Sequence, residues 1–398
     1  MQMSERPSGG YLPTVWDPEL IQSFTPLCTN SDGKFKERLS EDPAGLLSLY
    51  EASHLGVHEE DVLDETKAFS TKHLKLAMDM LELEKDLAQQ SKESLEVPLY
   101  WRLPRMEARN FINIYQRDEN KKLALSEFAK LDFNLLQSVY LQELKELAEW
   151  WKRLKMKDKL PFARDRMVEC YFLAMGSVPD PKFSKCRRNL TKFGSLATIL
   201  DDVYDIYGQC ISFINAQLLW DLEATVELPE YMNVCYKAMY NHVNEMVEDA
   251  LNTLGLDILP YIKDQVRIQY ANQENTRYMP TTLEAYFKNA WISIGIAVGL
   301  AYVFLVEMER GETTSSTQCY MIQGVSAEEA RDHIKDLICD SWKKLNKLVA
   351  QSSLPTGFAE TALAMVRCVQ QMYQFGDWFG VQSKANKDCQ NSSLFNCV

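Results

Sequence analysis

The sequence predicts an all-α fold. Apolar residues recur at helical spacing in nearly every informative segment, whereas the strict alternation that is typical of strands is scarce. Clusters of glycine, proline, serine and threonine separate these segments and mark loops. The clearest predicted helices are Asp132–Leu154, Met232–Leu254, Thr281–Val306, Ala327–Ala350 and Phe358–Tyr373.

The first 95 residues differ in kind from the rest of the chain. A polar stretch, Thr25–Asp42, precedes two or three helices, one of which is a charged helix at Thr71–Lys92. The segment Glu96-Val-Pro98 then favours a domain boundary. We therefore predict a short N-terminal helical domain at residues 1–95 and a larger C-terminal domain at residues 96–398.

The predicted helix Asp132–Leu154 has an amphipathic pattern. We expect Gln137, Glu143 and Lys145 to face solvent, opposite one apolar stripe that faces the core. The stripe consists of Leu135, Leu136, Val139, Tyr140, Leu144, Leu147 and Trp151.

Charge and composition exclude some classes of function. The 398 residues carry a formal net charge of -13, which argues against a nucleic-acid partner because a phosphate backbone requires a basic surface. Ten cysteines are scattered without a Cys-x-x-Cys pair, so we expect free thiols. No uncharged apolar run reaches the length of a membrane span, and no clear transit peptide is present. We expect a monomer.

Three carboxylates, Asp201, Asp202 and Asp205, lie among apolar neighbours. They need a cation there, because burying an unpaired charge is costly. Asp201 and Asp205 are four residues apart and therefore project from one face of a helix. Because Mg²⁺ prefers carboxylate oxygens, water and phosphates as ligands, the segment predicts a Mg²⁺ site. A solvated acidic face is the alternative.

Upstream of this segment, Arg164 and Arg166 form an Arg-x-Arg pair. Guanidinium groups bind diphosphate through paired hydrogen bonds and offset its charge. Such a pair alone is more typical of surface salt bridges. Combined with the acidic segment, it favours diphosphate binding.

A zinc site at His54, His58 and Glu59 is not favoured. No third histidine lies nearby, and we expect these residues on a solvated helix face.

Longer motifs follow one another in order along most of the chain. Together they resemble the class I terpene synthases of plants. The segments that carry the resemblance are Arg6–Trp16, Gly45–Ser53, Leu95–Trp101, Met106–Arg109, Lys130–Asn134, Ala163–Glu169, Leu200–Gly208, Asn289–Ser293, Met308–Glu312, Gln318–Met321 and Tyr373–Asp377.

The resemblance implies a class I terpenoid synthase helical bundle with a truncated N-terminal domain. It implies that the protein ionises a prenyl diphosphate, geranyl or farnesyl diphosphate, and releases diphosphate to give a mono- or sesquiterpene. The implied cofactor is Mg²⁺, with Mn²⁺ as the alternative ion. Relatives that use geranyl diphosphate are usually plastidial, so we expect the plastid or the cytoplasm.

The resemblance also assigns roles to residues. Asp201 and Asp205 are implied to bind metal and substrate, with Asp202 beside them as a further metal residue. Arg164 and Arg166 are implied to hold the departing diphosphate. The aromatic residues expected in the substrate pocket, for which ordinary core packing is the alternative, are Trp101, Trp291 and Tyr373.

One motif departs from the family pattern. The second metal site of the family has ligands at helical positions i, i+4 and i+8. If Glu307 is the last of these, the other two positions are occupied by Gly299 and Val303, which cannot bind Mg²⁺. The sequence around Val306 continues as though some tens of residues were missing. We therefore expect low or no activity.

Other functions remain as alternatives. The first is a catalytically inactive helical protein that at most binds Mg²⁺ and diphosphate. A chain-elongating prenyl diphosphate synthase would need a second aspartate-rich motif, and none occurs. A class II cyclase would need an Asp-x-Asp-Asp acid, but Ile199 occupies the position of its first aspartate.

Overall fold

A computed structural model describes residues 35, 37–80, 85–207, 228–255, 257, 259–260, 263, 326–351, 356–374, 377–380 and 383–398. Within these ranges every regular element is a helix, which confirms the all-α class. None of the helices described is long and apolar enough to cross a membrane. The predicted helix Thr281–Val306 lies outside the described residues.

The described residues up to His54, together with Glu60–Glu96, form one compact unit. Asp42 begins its first helix, because the carboxylate accepts a hydrogen bond from the Gly45 N–H at 2.9 Å. Leu46, Tyr50 and Leu74 form the core of the unit. After a 3₁₀-helix at Glu37–Glu41, its described α-helices are α1 (Pro43–Ser53), α2 (Asp61–Asp79) and α3 (Lys85–Glu96).

The single helix predicted at Thr71–Lys92 is wrong. Helix α2 ends at Asp79, and α3 begins at Lys85. The charged sequence carried helical periodicity on both sides of residues 81–84, so periodicity did not reveal two separate helices.

His54 is buried, not solvated as its sequence context suggested. Its ring packs edge-on against Tyr50, with ring centroids 4.6 Å apart. Its Nδ1 lies 2.9 Å from the Tyr50 carbonyl oxygen, which can only accept, so Nδ1 carries the proton. Burial, with a smaller contribution from the charge of Lys67, lowers the pKa of His54 from 6.5 to about 4.

Acid should therefore destabilise the fold through His54. Its pKa in the folded chain lies below the unfolded value, so its contribution is fully present above pH 6.5 and is lost as the pH falls towards 4. We expect the free energy of unfolding to fall by roughly 1–2 kcal/mol more between pH 7 and pH 5 in the wild type than in His54→Gln. Urea unfolding of both proteins at the two pH values measures this difference. An equal fall in both would contradict it.

Leu55–Glu59 and the described residues from Val97 onwards form the second compact unit. Three clusters of buried apolar side chains make up its core. Its helices are α4 (Pro104–Tyr115), α5 (Leu123–Leu154), α6 (Met156–Lys159), α7 (Met167–Ser177), α8 (Ser184–Tyr207), α9 (Glu230–Leu254), α10 (Ala327–Gln351), α11 (Thr356–Tyr373) and α12 (Lys384–Gln390).

Helix α5 corrects the predicted orientation of the Asp132–Leu154 segment. Gln137 and Glu143 are buried, whereas Leu135, which we expected in the core, is 69% exposed. The pattern was misread because charged and amide side chains were assigned to solvent. Glu143 and the side-chain oxygen of Gln137 instead face the core and accept hydrogen bonds, whereas Lys145 is exposed as expected.

The partner of Glu143 is Arg187, whose side chain is fully buried. Its Nε and Nη2 donate to the two Glu143 carboxylate oxygens at 3.0 and 2.6 Å, and Tyr171 Oη donates to one of them at 2.9 Å. Arg187 Nη1 donates to the carbonyls of Val178 and Asp180. The ion pair therefore joins α5 and α8 and holds the loop between α7 and α8.

Candidate functional site

The Arg-x-Arg pair lies just before α7, and the acidic segment lies in the last two turns of α8. Ile199 and Val203 turn one face of this part of α8 into the core, where they pack in the cluster that also contains Leu160. Helix α7 and helix α8 are packed against each other, so the loop before α7 and the end of α8 meet. Packing thus brings together two motifs that are far apart in sequence.

Arg164 joins the two motifs. Its Nε donates to Asp202 Oδ1 at 2.5 Å and its backbone N–H donates to Asp202 Oδ2 at 2.6 Å. Its Nη2 donates to Asp201 Oδ2 at 2.9 Å. Both oxygens of Asp202 are therefore engaged by one residue, and a protein guanidinium neutralises this buried carboxylate.

Asp201 has a different environment. Its side chain is 66% exposed, compared with 8% for Asp202. Arg164 contacts only one of its oxygens. Of these two adjacent carboxylates, Asp201 is therefore the more accessible to solvent.

The guanidinium of Arg164 stays protonated. Burial alone would lower the pKa of its guanidinium, but the charges and hydrogen bonds of Asp202 and then of Asp201 outweigh burial and raise the pKa above its usual value. Arg164 therefore remains a cation beside α8 at any physiological pH.

Arg166 has different partners. Its Nε donates to the Phe379 carbonyl at 2.7 Å, and its Nη2 donates to the Gly380 carbonyl at 3.1 Å. The segment it holds is itself turned, because the Phe379 N–H donates to Asp377 Oδ1 at 2.8 Å. Arg166 thus fixes the backbone of residues 377–380 beside the loop that carries Arg164.

Two of the predicted aromatic residues lie in the core of the second unit. Trp101 is buried and stacks on Trp342, with ring centroids 5.2 Å apart and an interplanar angle of 6°. Tyr373 is partly buried between the cluster of Trp342 and the cluster of Tyr171. These positions are those of packed core side chains, and a role of either ring in a substrate pocket stays a prediction.

Other predicted residues lie outside the described part of the chain. Asp205 is within α8, one turn after Asp201, but its side chain is not described. Glu307 and Trp291 lie in the segment between residues 263 and 326, which the structure does not describe.

The residues described fit a hard cation in part. Asp201 offers an exposed carboxylate oxygen, the kind of ligand that Mg²⁺ prefers. Asp202 is less accessible as a direct ligand than Asp201, because its side chain is 8% exposed and Arg164 donates to both of its oxygens; its metal role stays a prediction. Across the described ranges no group of three or more histidine, cysteine, aspartate or glutamate residues is placed to hold a metal ion.

Two features of this region had no signal in the sequence. Arg166 binds backbone carbonyls, which every residue carries, so no residue type at 379 or 380 could have indicated the contact. The pairing of Arg164 with Asp202 links two predicted site residues, but the sequence did not show that they neutralise each other.

A cleft of about 500 Å³ lies elsewhere on the second unit, beside α5, α8 and α9. Arg188 pairs with Glu146 there, and Lys185 pairs with Asp249. Because its opposite charges balance, the cleft shows no preference for an ionic ligand. It contains none of the predicted site residues.

Three family models match segments of the chain. The terpene synthase N-terminal domain matches residues 23–95, and the terpene synthase family metal binding domain matches residues 152–307. The C-terminal metal binding region of terpene synthase family 2 matches residues 302–344. The metal binding domain therefore includes the Arg-x-Arg pair and all three aspartates.

Similar proteins cover most of the chain. "Probable terpene synthase 9" of Ricinus communis is 42% identical, over 90% of this chain and 69% of its own length. The chloroplastic trans-ocimene synthase of Litsea cubeba is 38% identical, over 93% of this chain and 71% of its own length. The chain thus spans about 70% of the length of these two relatives.

Solved structures give the same result. Isoprene synthase from grey poplar, in complex with three Mg²⁺ ions and dimethylallyl-S-thiolodiphosphate, has a TM-score of 0.82 and 33% identity, over 93% of this chain and 80% of that chain. A limonene synthase with 2-fluorolinalyl diphosphate has a TM-score of 0.86 and 31% identity, over 93% of this chain and 77% of that chain. The fold, the metal binding domain and these identities show that the chain belongs to the terpene synthase family of enzymes.

Proposed function

We propose that this chain binds a prenyl diphosphate with Mg²⁺ and ionises it slowly, releasing diphosphate and leaving an allylic cation that loses a proton to give a mono- or sesquiterpene. The observation that carries the proposal is the contact of Arg164 with Asp201 and Asp202, which places a fixed cation beside an exposed carboxylate. Bound Mg²⁺ would supply Lewis-acid stabilisation of the leaving diphosphate. The guanidinium of Arg164 would add a positive charge that needs no reorganisation.

The proposed roles of Asp202 and Arg166 rest on their contacts, whereas those of Asp205 and Glu307 rest on the sequence. We assign Asp201 and Asp205 as metal ligands, with Glu307 as the remaining ligand of the second metal motif. Asp202 holds Arg164 in position instead of binding metal directly. Arg166 holds the 377–380 segment near the site, so its contact with diphosphate would require that it leave Phe379.

Several properties of relatives support a more specific substrate. The Litsea cubeba and Cinnamomum tenuipile relatives are named as synthases of trans-ocimene and geraniol, which are ten-carbon products, so geranyl diphosphate is the expected substrate. Both are named chloroplastic, which supports the plastid as the compartment. We expect Mg²⁺ to be the preferred ion over Mn²⁺, as the isoprene synthase complex contains three Mg²⁺ ions.

Weak activity is proposed because Gly299 and Val303 occupy the other two ligand positions of the second motif. The match of one C-terminal family model ends at residue 307 and the next begins at residue 302, which supports a discontinuity of sequence there. The domain division at residues 95 and 96 is likewise proposed, with support from the N-terminal match, which ends at residue 95. Binding without turnover is the second candidate function, and it is favoured by Gly299 and Val303 in the two ligand positions.

Turnover and binding should be measured separately on the purified 398-residue chain. We expect product formation from geranyl diphosphate in Mg²⁺ to be at least roughly a hundredfold slower than that of a relative with a complete second motif. Calorimetry should nevertheless show Mg²⁺-dependent binding of a non-hydrolysable geranyl diphosphate analogue. Parallel reactions with farnesyl diphosphate and with Mn²⁺ test the substrate and the ion.

Two variants sharpen the experiment. Asp201→Ala with Asp205→Ala should abolish binding of the analogue, whereas Gly299→Asp with Val303→Thr should increase turnover. Fast turnover by the wild type would overturn the proposed impairment. Absence of Mg²⁺-dependent binding would overturn the proposed function altogether.

A further inference from the structure

Helix α5 has a second apolar face, opposite the one that packs in the core. Phe128, Leu131 and Leu135 are 68%, 68% and 69% exposed, and Leu125 beside them is 53% exposed. On the other side of the helix Phe133, Gln137 and Tyr140 are buried. The first half of α5 is therefore apolar on the side that faces away from its own unit.

The spacing of this outer face is that of a helix-pairing seam. Ala124, Phe128, Leu131, Leu135 and Ser138 follow one another at alternating intervals of four and three residues. This interval keeps a stripe of side chains on one line and is typical of helices that pack along each other. A single exposed leucine would need no explanation, but three large side chains on one line, with Leu125 exposed beside them, do.

We propose that this outer face of α5 is a self-association surface, through which two copies of the chain form a symmetric antiparallel helix pair. A two-fold axis beside Leu131 places Phe128 of one copy opposite Leu135 of the other. The surface is thereby complementary to itself, as a two-fold interface requires. The proposal differs from the monomer that we expected from the sequence, which does not show which side chains of α5 are exposed.

The size and charge of the surface suit a second copy. The four large side chains expose on the order of 500 Å² of apolar area, so two copies with their polar rims would bury on the order of 1,200 Å², which is the lower end of stable interfaces. Glu127 and Lys130 beside the stripe form an ion pair with each other at 3.0 Å. The stripe therefore has a nearly neutral edge on that side, although the whole chain carries a net charge of -13.

Sedimentation velocity of the full chain tests the proposal independently of any catalytic activity. We expect a monomer–dimer equilibrium with a dissociation constant on the order of micromolar. Leu131→Asp should raise that constant roughly tenfold or more. The control is Leu348→Asp on α10, because Leu348 is 67% exposed and lies outside the stripe, so it should leave the constant unchanged.

The dependence of the dimer dissociation constant on salt concentration is a second test. Asp132 flanks the stripe, and antiparallel pairing brings its two copies to the same side of the axis. Screening their repulsion should keep or strengthen the dimer as salt is raised.

A monomer at all concentrations would mean that another segment of the same chain covers the stripe, or that nothing does, and would overturn the proposal. Equal effects of the two leucine substitutions, or dissociation by salt, would overturn it as well.

Discussion

Replacing Arg187 with methionine should lower the free energy of unfolding by about 3–5 kcal/mol. The substitution leaves Glu143 buried without its cation, because among the described residues only the Tyr171 hydroxyl would still donate to it. It also removes donors from the Val178 and Asp180 carbonyls, which shape the loop before α8. Urea unfolding followed by circular dichroism at pH 7 measures the loss.

The adjacent arginine provides a matched control. Arg188 pairs with Glu146 near the surface, where both side chains are partly exposed. Arg188→Met should therefore cost less than about 1 kcal/mol. Adding Glu143→Gln to Arg187→Met should recover part of the loss, since the uncompensated charge is then removed. A similar loss of unfolding free energy for both single arginine substitutions would show that the buried ion pair contributes no more to stability than the exposed one.

Asp202→Asn should weaken Mg²⁺-dependent binding of a non-hydrolysable geranyl diphosphate analogue by roughly 10- to 100-fold. Asparagine can accept only one of the two hydrogen bonds from Arg164 and carries no charge to hold its guanidinium. The arginine would then compete for Asp201, the carboxylate that we assign to the metal. Isothermal titration calorimetry of the variant and the wild type gives the two dissociation constants.

Asp165→Asn is the control for this prediction. Asp165 is an exposed carboxylate between the two arginines, so the substitution changes the local charge equally. It should leave the dissociation constant nearly unchanged. Thermal unfolding of each variant identifies any loss of binding that comes from a loss of fold. Equal weakening by both substitutions would mean that overall charge, and not the contact with Arg164, sets the affinity.

The part of the structure that the sequence predicted well depends on periodicity. Helices from Ala327 and from Met232 were expected and are present as α10 and α9, with ends that differ by at most two residues. Periodicity works there because each helix is apolar on one side. It failed on α5, where Glu143 and Gln137 are in the core and Leu135 is outside.

Three of the predicted site residues lie in contact in the structure, but the sequence did not indicate how they pair. Arg164, Asp201 and Asp202 were selected by residue type and spacing, and the structure brings them together. Residue type could not show that Asp202 already has a cation in the protein. A pair of this kind forms only through the packing of α7 on α8, which one sequence does not display.

The contacts made by the two arginines of the Arg-x-Arg pair close loops of different length. Arg164 reaches Asp202 across 38 residues, whereas Arg166 reaches Phe379 across 213 residues. In an unfolded chain the longer closure costs about 1.5 kcal/mol more entropy. The contact of Arg164 can therefore form once α7 and α8 have paired, but that of Arg166 must wait for the C-terminal helices. One side of the site is thus settled early in folding, and the other is completed only when nearly the whole second unit has assembled.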